Sequence, residues 1–109
     1  MTTLEIYKTR KDEIVKKTIE LLPDALAGDR ANRTFYFRVD EKGNLTVDYY
    51  YYADQIVLDD ECFFTIEDYE IPTPEDYGYE SFEEMDFDAC GFSEQIANAI
   101  ENQISLLES

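Results

Sequence analysis

An α+β fold follows from three features of the sequence. Each end of the chain carries an apolar stripe of helical period, the middle alternates with period two, and a proline-interrupted acidic stretch precedes the final helix. The predicted order is an N-terminal helix, a three- to four-stranded antiparallel sheet, an acidic loop and a C-terminal helix packed on the sheet. A sheet and two helices in that order each bury one apolar side. With 44% hydrophobic residues over 109 positions, the chain holds enough apolar surface for one core and too little for two, so residues 1–109 are expected to form a single domain.

From about Thr3 to Leu22, Leu4, Tyr7, Ile14, Leu21 and Leu22 share a helical face, with Lys8, Lys11, Lys16, Lys17 and Glu20 largely elsewhere. Thr3 is the expected N-cap. Pro23 cannot continue a helix interior without losing a backbone hydrogen bond, so the helix should end near Leu22 or soon after, and Gly28 should close a short turn. Lys8, Arg10, Lys11, Lys16 and Lys17 are interleaved with Glu5, Asp12, Glu13 and Glu20, which reads as a solvated face with i, i+4 pairs such as Glu13 with Lys17.

The period changes at Thr34. Phe35, Phe37 and Val39 fall on one side and Tyr36 and Arg38 on the other; Asp40 to Asn44 is a polar turn with Gly43; Leu45, Val47, Tyr49 and Tyr51 then alternate with Thr46, Asp48, Tyr50 and Tyr52. This predicts a hairpin, with Tyr49 and Tyr51 in the core and Tyr50 and Tyr52 over the outer sheet. Cys62 to Glu67 fits a third strand, Cys62, Phe64 and Ile66 on one face and Phe63 and Thr65 on the other, and Gln55 to Leu58 extends the second strand or forms a short one. Ile71 to Glu80 holds two prolines and a glycine and reads as a loop; Phe82 to Phe87 fits one helical turn. Ser93 then caps a last helix with Ile96, Ile100, Ile104 and Leu107 in one stripe.

Charge is distributed unevenly over this framework. Residues 1–39 carry six acids and eight bases, residues 40–90 seventeen acids and one base, Lys42, and residues 91–109 three acids and no base, for a net charge of -17. Acidic disordered chains lack aromatics, whereas this one has seven Phe and nine Tyr. Self-repulsion of this size opposes the compact state and favours solubility and steering of cationic partners.

Catalysis finds little support. There is no histidine, which removes the commonest general base, the usual triads and most transition-metal sites. With 26 acids in 109 residues, some carboxylate pair always sits at a glycosidase-like distance, so that pattern has no specificity. The run Asp86 to Gly91 resembles the opening of an EF-hand loop, but its fifth position is Cys90 and its twelfth is Ala97, which removes the bidentate carboxylate. Neither enzymatic activity nor a cofactor or metal is expected. Tyr49 to Tyr52 would suit base stacking only in a positive groove, and the flanking Asp48, Asp54, Asp59, Asp60 and Glu61 repel phosphate, so direct nucleic-acid binding is not expected.

Two cysteines, Cys62 and Cys90, are too few for a disulfide framework or zinc site, which fits a reduced, cytoplasmic setting. The first residues show no apolar run with a cleavage site, and no stretch reaches the ~18 apolar residues of a membrane span.

The carboxylates concentrate at strand ends and in the Pro-bounded loop. Those in question are Asp59, Asp60, Glu61, Glu67, Asp68, Glu70, Glu75, Asp76, Glu80, Glu83 and Glu84. Acids two apart on a strand lie about 6.6 Å apart on one side, a spacing that imitates a row of phosphates. In size, composition and charge the chain resembles the acidic nucleic-acid-mimic inhibitors, a convergent group that includes many phage anti-CRISPR proteins and inhibitors of restriction enzymes. The resemblance implies a non-enzymatic inhibitor that occludes the nucleic-acid-binding surface of a basic protein, a CRISPR effector or another defence nuclease. It is similar in the same terms to the immunity proteins that neutralise bacterial nuclease toxins, and an acidic protein-interaction module unrelated to nucleic-acid enzymes is the third reading. Competition with nucleic acid for the partner separates that third reading from the other two.

Overall fold

The computed structural model describes residues 2–27, 32–51 and 61–109. The elements run α1 (Thr3–Leu26), β1 (Arg33–Val39), β2 (Leu45–Tyr50), β3 (Glu61–Ile66), two 3-10 turns (Asp68–Glu70 and Pro74–Tyr77) and α2 (Phe92–Glu108). The sheet is antiparallel in the order β2-β1-β3, so β2 and β3 run parallel to one another on either side of β1. The fold is α+β, as the sequence predicts.

Helix α1 begins one residue earlier than expected. Thr2 is the N-cap, its hydroxyl accepting the Glu5 N–H at 3.2 Å, while the Thr3 hydroxyl donates to Glu61 at 3.1 Å. The helix also passes through Pro23 to Leu26, because Leu22, Ala25 and Leu26 are buried and that burial outweighs one lost backbone hydrogen bond near the helix end. A kink at Arg10 (φ -122°, ψ 19°) follows Thr9, whose hydroxyl donates to the Glu5 carbonyl at 2.7 Å, a bond that competes with the helical ladder. Gly28 lies outside the described residues.

The hairpin forms in the expected register, with Val39 opposite Leu45, Phe37 opposite Val47 and Phe35 opposite Tyr49. Asp40 closes its turn: its N–H donates to the Asn44 carbonyl and its carbonyl accepts from Gly43, which sits at φ 85° where a side chain would be strained. Phe35 and Phe37 face the helices, Tyr7 meeting Phe37 edge-on at 5.2 Å. Tyr36 lies on the opposite face, stacked on Tyr50 at 4.5 Å, with the Arg38 guanidinium 5.0 Å from its ring centre. Tyr49 packs against the core and donates to Asp24 at 3.0 Å, and Tyr51 meets Tyr49 edge-on. Tyr52 and Gln55 to Leu58 lie outside the described residues.

Strict alternation fails on β3. The register shifts between Phe35, opposite Phe64, and Tyr36, opposite Cys62, so Phe63 is an extra residue in a bulge. Phe63 is consequently buried and lies 6.2 Å from Phe37, while Phe64 lies 5.8 Å from Phe35. Two adjacent phenylalanines thus serve one core.

Phe82 to Phe87 forms a hydrogen-bonded turn, Met85 N–H to Phe82 O at 3.2 Å, rather than a helix. Helix α2 starts at Phe92 with Gly91 (φ 90°) as N-cap, which places Ser93 inside the first turn. Phe92, Ile96, Ile100 and Ile104 are buried at i, i+4 spacing, and Leu107 falls outside the stripe with 48% of its surface exposed. The two helices run antiparallel, since Lys8 pairs with Glu108 and Lys11 with Glu101. Both pack on the Phe35 and Phe37 face of the sheet. No helix among the described residues is long and apolar enough to cross a membrane.

Candidate acidic interface

The segment 67–91 joins β3 to α2 without a regular strand or α-helix, yet it is well anchored. Ile71, Met85 and Phe87 are buried in the core cluster, with Tyr79 and Phe82 packed against it. Phe82 stacks on Phe87, and Phe87 and Tyr77 each meet Phe92 edge-on at 5.3 and 6.1 Å. These apolar residues are interleaved with carboxylates, so pinning the former to the core sends the latter to solvent. Asp68, Glu70, Glu75, Asp76, Glu80, Glu83 and Glu84 are exposed, and Glu67 is half-buried.

Some of these acids also shape the turns that hold them. Glu70 accepts the Glu67 N–H at 3.2 Å, Asp76 accepts the Thr73 N–H at 3.1 Å, and Asp86 accepts the Ala89 N–H at 3.1 Å. Asn32 accepts the Asp68 N–H at 2.8 Å, tying the first 3-10 turn to the start of β1. Glu84 donates its N–H to the Ser81 hydroxyl at 3.3 Å. A carboxylate satisfying one backbone donor keeps its other lone pairs for a partner.

Glu61 stands apart from this group. It opens β3 at the hairpin end of the sheet, half-buried and bonded to Thr3, whereas Glu67 follows the far end of the strand, about 20 Å away by strand rise. A cavity of about 560 Å³ beside Glu61 is lined by Arg10 and Arg38 as well as Asp40 and Glu41, so its surroundings are of mixed sign. Among the described acids, β3 contributes Glu61 alone, and Glu67 onward lie in the turns and connecting segments that follow it. Asp59 and Asp60 lie outside the described residues.

Two acids of α1 join the acidic segment: Glu20, which the sequence places on a solvated helix face, and Asp24. Glu20 and Asp24 line one cavity of about 420 Å³ with Glu83, Phe82, Ser81 and Pro74. Their i, i+4 spacing puts both on one helix face, a pattern legible in the sequence, but only the fold shows that Glu83 crosses there. Asp24 also lies beside the Tyr49 phenol, whose pKa is raised by burial and by its bonds to Tyr51 and Asp24.

Three of the five basic residues of α1, Lys8, Arg10 and Lys11, are committed elsewhere, while Lys16 lines a cavity with Glu20 and Asp88. Lys8 and Lys11 reach Glu108 and Glu101 of α2 at 3.0 and 2.9 Å. Arg10 forms a two-pronged pair with Glu13 at 2.8 and 2.9 Å and donates to the Gly43 carbonyl, joining the helix kink to the hairpin turn. Hydrogen bonding to Arg10 holds the Glu13 carboxyl below its ordinary pKa. Glu13 thus bonds directly to Arg10, three residues earlier, and the expected partner Lys17 acts on it through its charge. The Asn44 backbone N–H and side-chain amide likewise hold Asp40 below its ordinary value. The three ion pairs between described residues accordingly draw on the helices and leave residues 67–88 out.

Among the described residues, no group of three or more His, Cys, Asp or Glu side chains is placed to hold a metal ion. No family model, curated protein or solved structure matches this chain. What the geometry offers chemically is a dense, anchored negative surface bearing aromatic side chains.

Proposed function

We propose that this chain is a non-enzymatic inhibitor that covers the nucleic-acid-binding surface of a basic protein, a CRISPR effector or another defence nuclease. One observation carries the reading. Residues 67–88 hold ten carboxylates and no basic residue, and apolar anchors at Ile71, Met85 and Phe87 hold that segment on the folded core with most of its acids outward. Fixed charge of this kind costs less ordering on binding than a flexible acidic tail and competes with phosphates by electrostatic complementarity. Association with such a partner is fast at low salt and weakens as salt rises.

The test reverses charge where the fold does not need it. Glu75, Glu80, Glu83 and Glu84 are exposed, so the fourfold variant Glu75→Lys, Glu80→Lys, Glu83→Lys and Glu84→Lys is expected to keep its circular dichroism spectrum. Cleavage by candidate defence nucleases is then measured with duplex DNA and single-stranded RNA as competing substrates. Loss of inhibition in the variant supports the reading; full inhibition by it refutes mimicry.

A further inference from the structure

Tyr69 is the most exposed large apolar side chain among the described residues, with 77% of its surface open to solvent. Its place in the fold is not loose. The preceding Ile66 and following Ile71 are both buried, the Asp68 N–H is held by Asn32, and the Glu67 N–H and carbonyl engage the Glu70 carboxylate and N–H at 3.2 and 2.9 Å. A large ring presented to water from a clamped turn forgoes the burial that Tyr7, Phe35 and Phe37 obtain. Tyrosine fixed this way loses little side-chain freedom on binding, which is why such residues serve as anchors in interfaces.

We infer that Tyr69 is the docking point for an arginine of the partner, its ring taking the guanidinium face while neighbouring carboxylates take the N–H fork. This inference rests on the proposed acidic interface and names the chemistry its partner presents. Charge complementarity selects the occupant: Glu67 and Glu70 flank the ring in sequence, so an apolar or anionic group would be placed against them at a cost. Between the two cationic side chains the geometry favours arginine. A guanidinium is planar and weakly hydrated, so it stacks on a ring and still directs N–H groups sideways to carboxylates; an ammonium is a strongly hydrated point charge that cannot do both well.

The experiment uses the full chain and two probes, an oligo-arginine and an oligo-lysine peptide of equal length, with affinities measured by calorimetry at low salt. Tyr69→Ala is expected to weaken the arginine peptide by roughly three- to fivefold, the usual worth of a cation–π contact at an exposed site, and to leave the lysine peptide within about twofold. Tyr69→Phe, which keeps the ring and loses the hydroxyl, should restore arginine binding. An equal effect on both peptides, or none on either, overturns the arginine anchor while leaving the acidic-face reading to its own charge-reversal test. Because the side chain is so exposed, thermal melts of both variants should match the parent and exclude misfolding as the cause.

Discussion

Arg33 is the side chain whose position is hardest to reconcile with its chemistry, since it is fully buried while the other cations among the described residues lie at or near the surface. Its Nε donates to the Ala25 carbonyl in the last turn of α1, and its guanidinium lies 4.2 Å from the centre of the Tyr51 ring. The carbonyls at a helix end have no partner within the helix and carry partial negative charge, so a buried cation there satisfies both. Replacing it with Met keeps the length and removes the donor. We expect Arg33→Met to cost about 2–4 kcal/mol in urea unfolding, summing a charge-assisted bond and a desolvated ring contact. A cost below about 1 kcal/mol would show that the guanidinium is dispensable. The sequence does not announce this role, because it depends on α1 running past Pro23 to Leu26, and only that extra turn brings Ala25 within reach of β1.

Helices and strands were legible where an apolar period repeats undisturbed. Phe35, Phe37 and Val39 face Tyr49, Val47 and Leu45 in the register that the Asp40 to Asn44 turn dictates. Departures occur where one local device overrides the period. The bulge at Phe63 moves that residue to the core side of β3, and no composition rule marks a bulge in a run as apolar as Cys62 to Ile66. The start of α2 is a second case, for Gly91 supplies the N-cap conformation at φ 90° while Ser93, the more typical capping residue, makes no side-chain hydrogen bond among the described residues. The two positions give opposite expectations. Gly91→Ala meets no steric neighbour, so its cost is the left-handed backbone itself, about 1–2 kcal/mol. Ser93→Ala should change stability by less than about 0.5 kcal/mol. Urea midpoints of the two variants decide the matter, and a larger loss at Ser93 than at Gly91 would reverse the assignment of the cap. The acidic interface was legible as composition; its division between Glu61 at the hairpin end and Glu67 onward at the other was not, because strand direction sets it.

Across the whole molecule the charges are sorted rather than mixed. Lys8, Arg10 and Lys11 of α1 meet Glu108, Glu13 and Glu101, while residues 67–88 hold ten acids, of which Glu83 lies with Glu20 and Asp24 beside the C-terminal half of α1. Two unit charges about 10 Å apart in water repel by about 0.4 kcal/mol, and many such pairs exist within a body of 41 × 29 × 29 Å. At 0.01 M salt the Debye length of about 30 Å spans the molecule's width, so every acid feels the others; at 0.1 M it falls to about 10 Å and only neighbours interact. Screening also weakens Lys8 with Glu108 and Lys11 with Glu101, but these pairs are partly exposed and three attractive pairs stand against a net charge of -17. Repulsion should therefore win. At pH 7 the melting temperature is expected to rise as sodium chloride goes from 0.01 to 0.2 M, by about 4–8 °C if screening returns on the order of 1 kcal/mol, and then to level off. The fourfold Lys variant at positions 75, 80, 83 and 84 changes net charge by +8 and should start higher at 0.01 M and rise less. A melting temperature that falls with salt, or a variant no less salt-sensitive than the parent, would mean that the acidic segment carries no electrostatic strain in the folded chain.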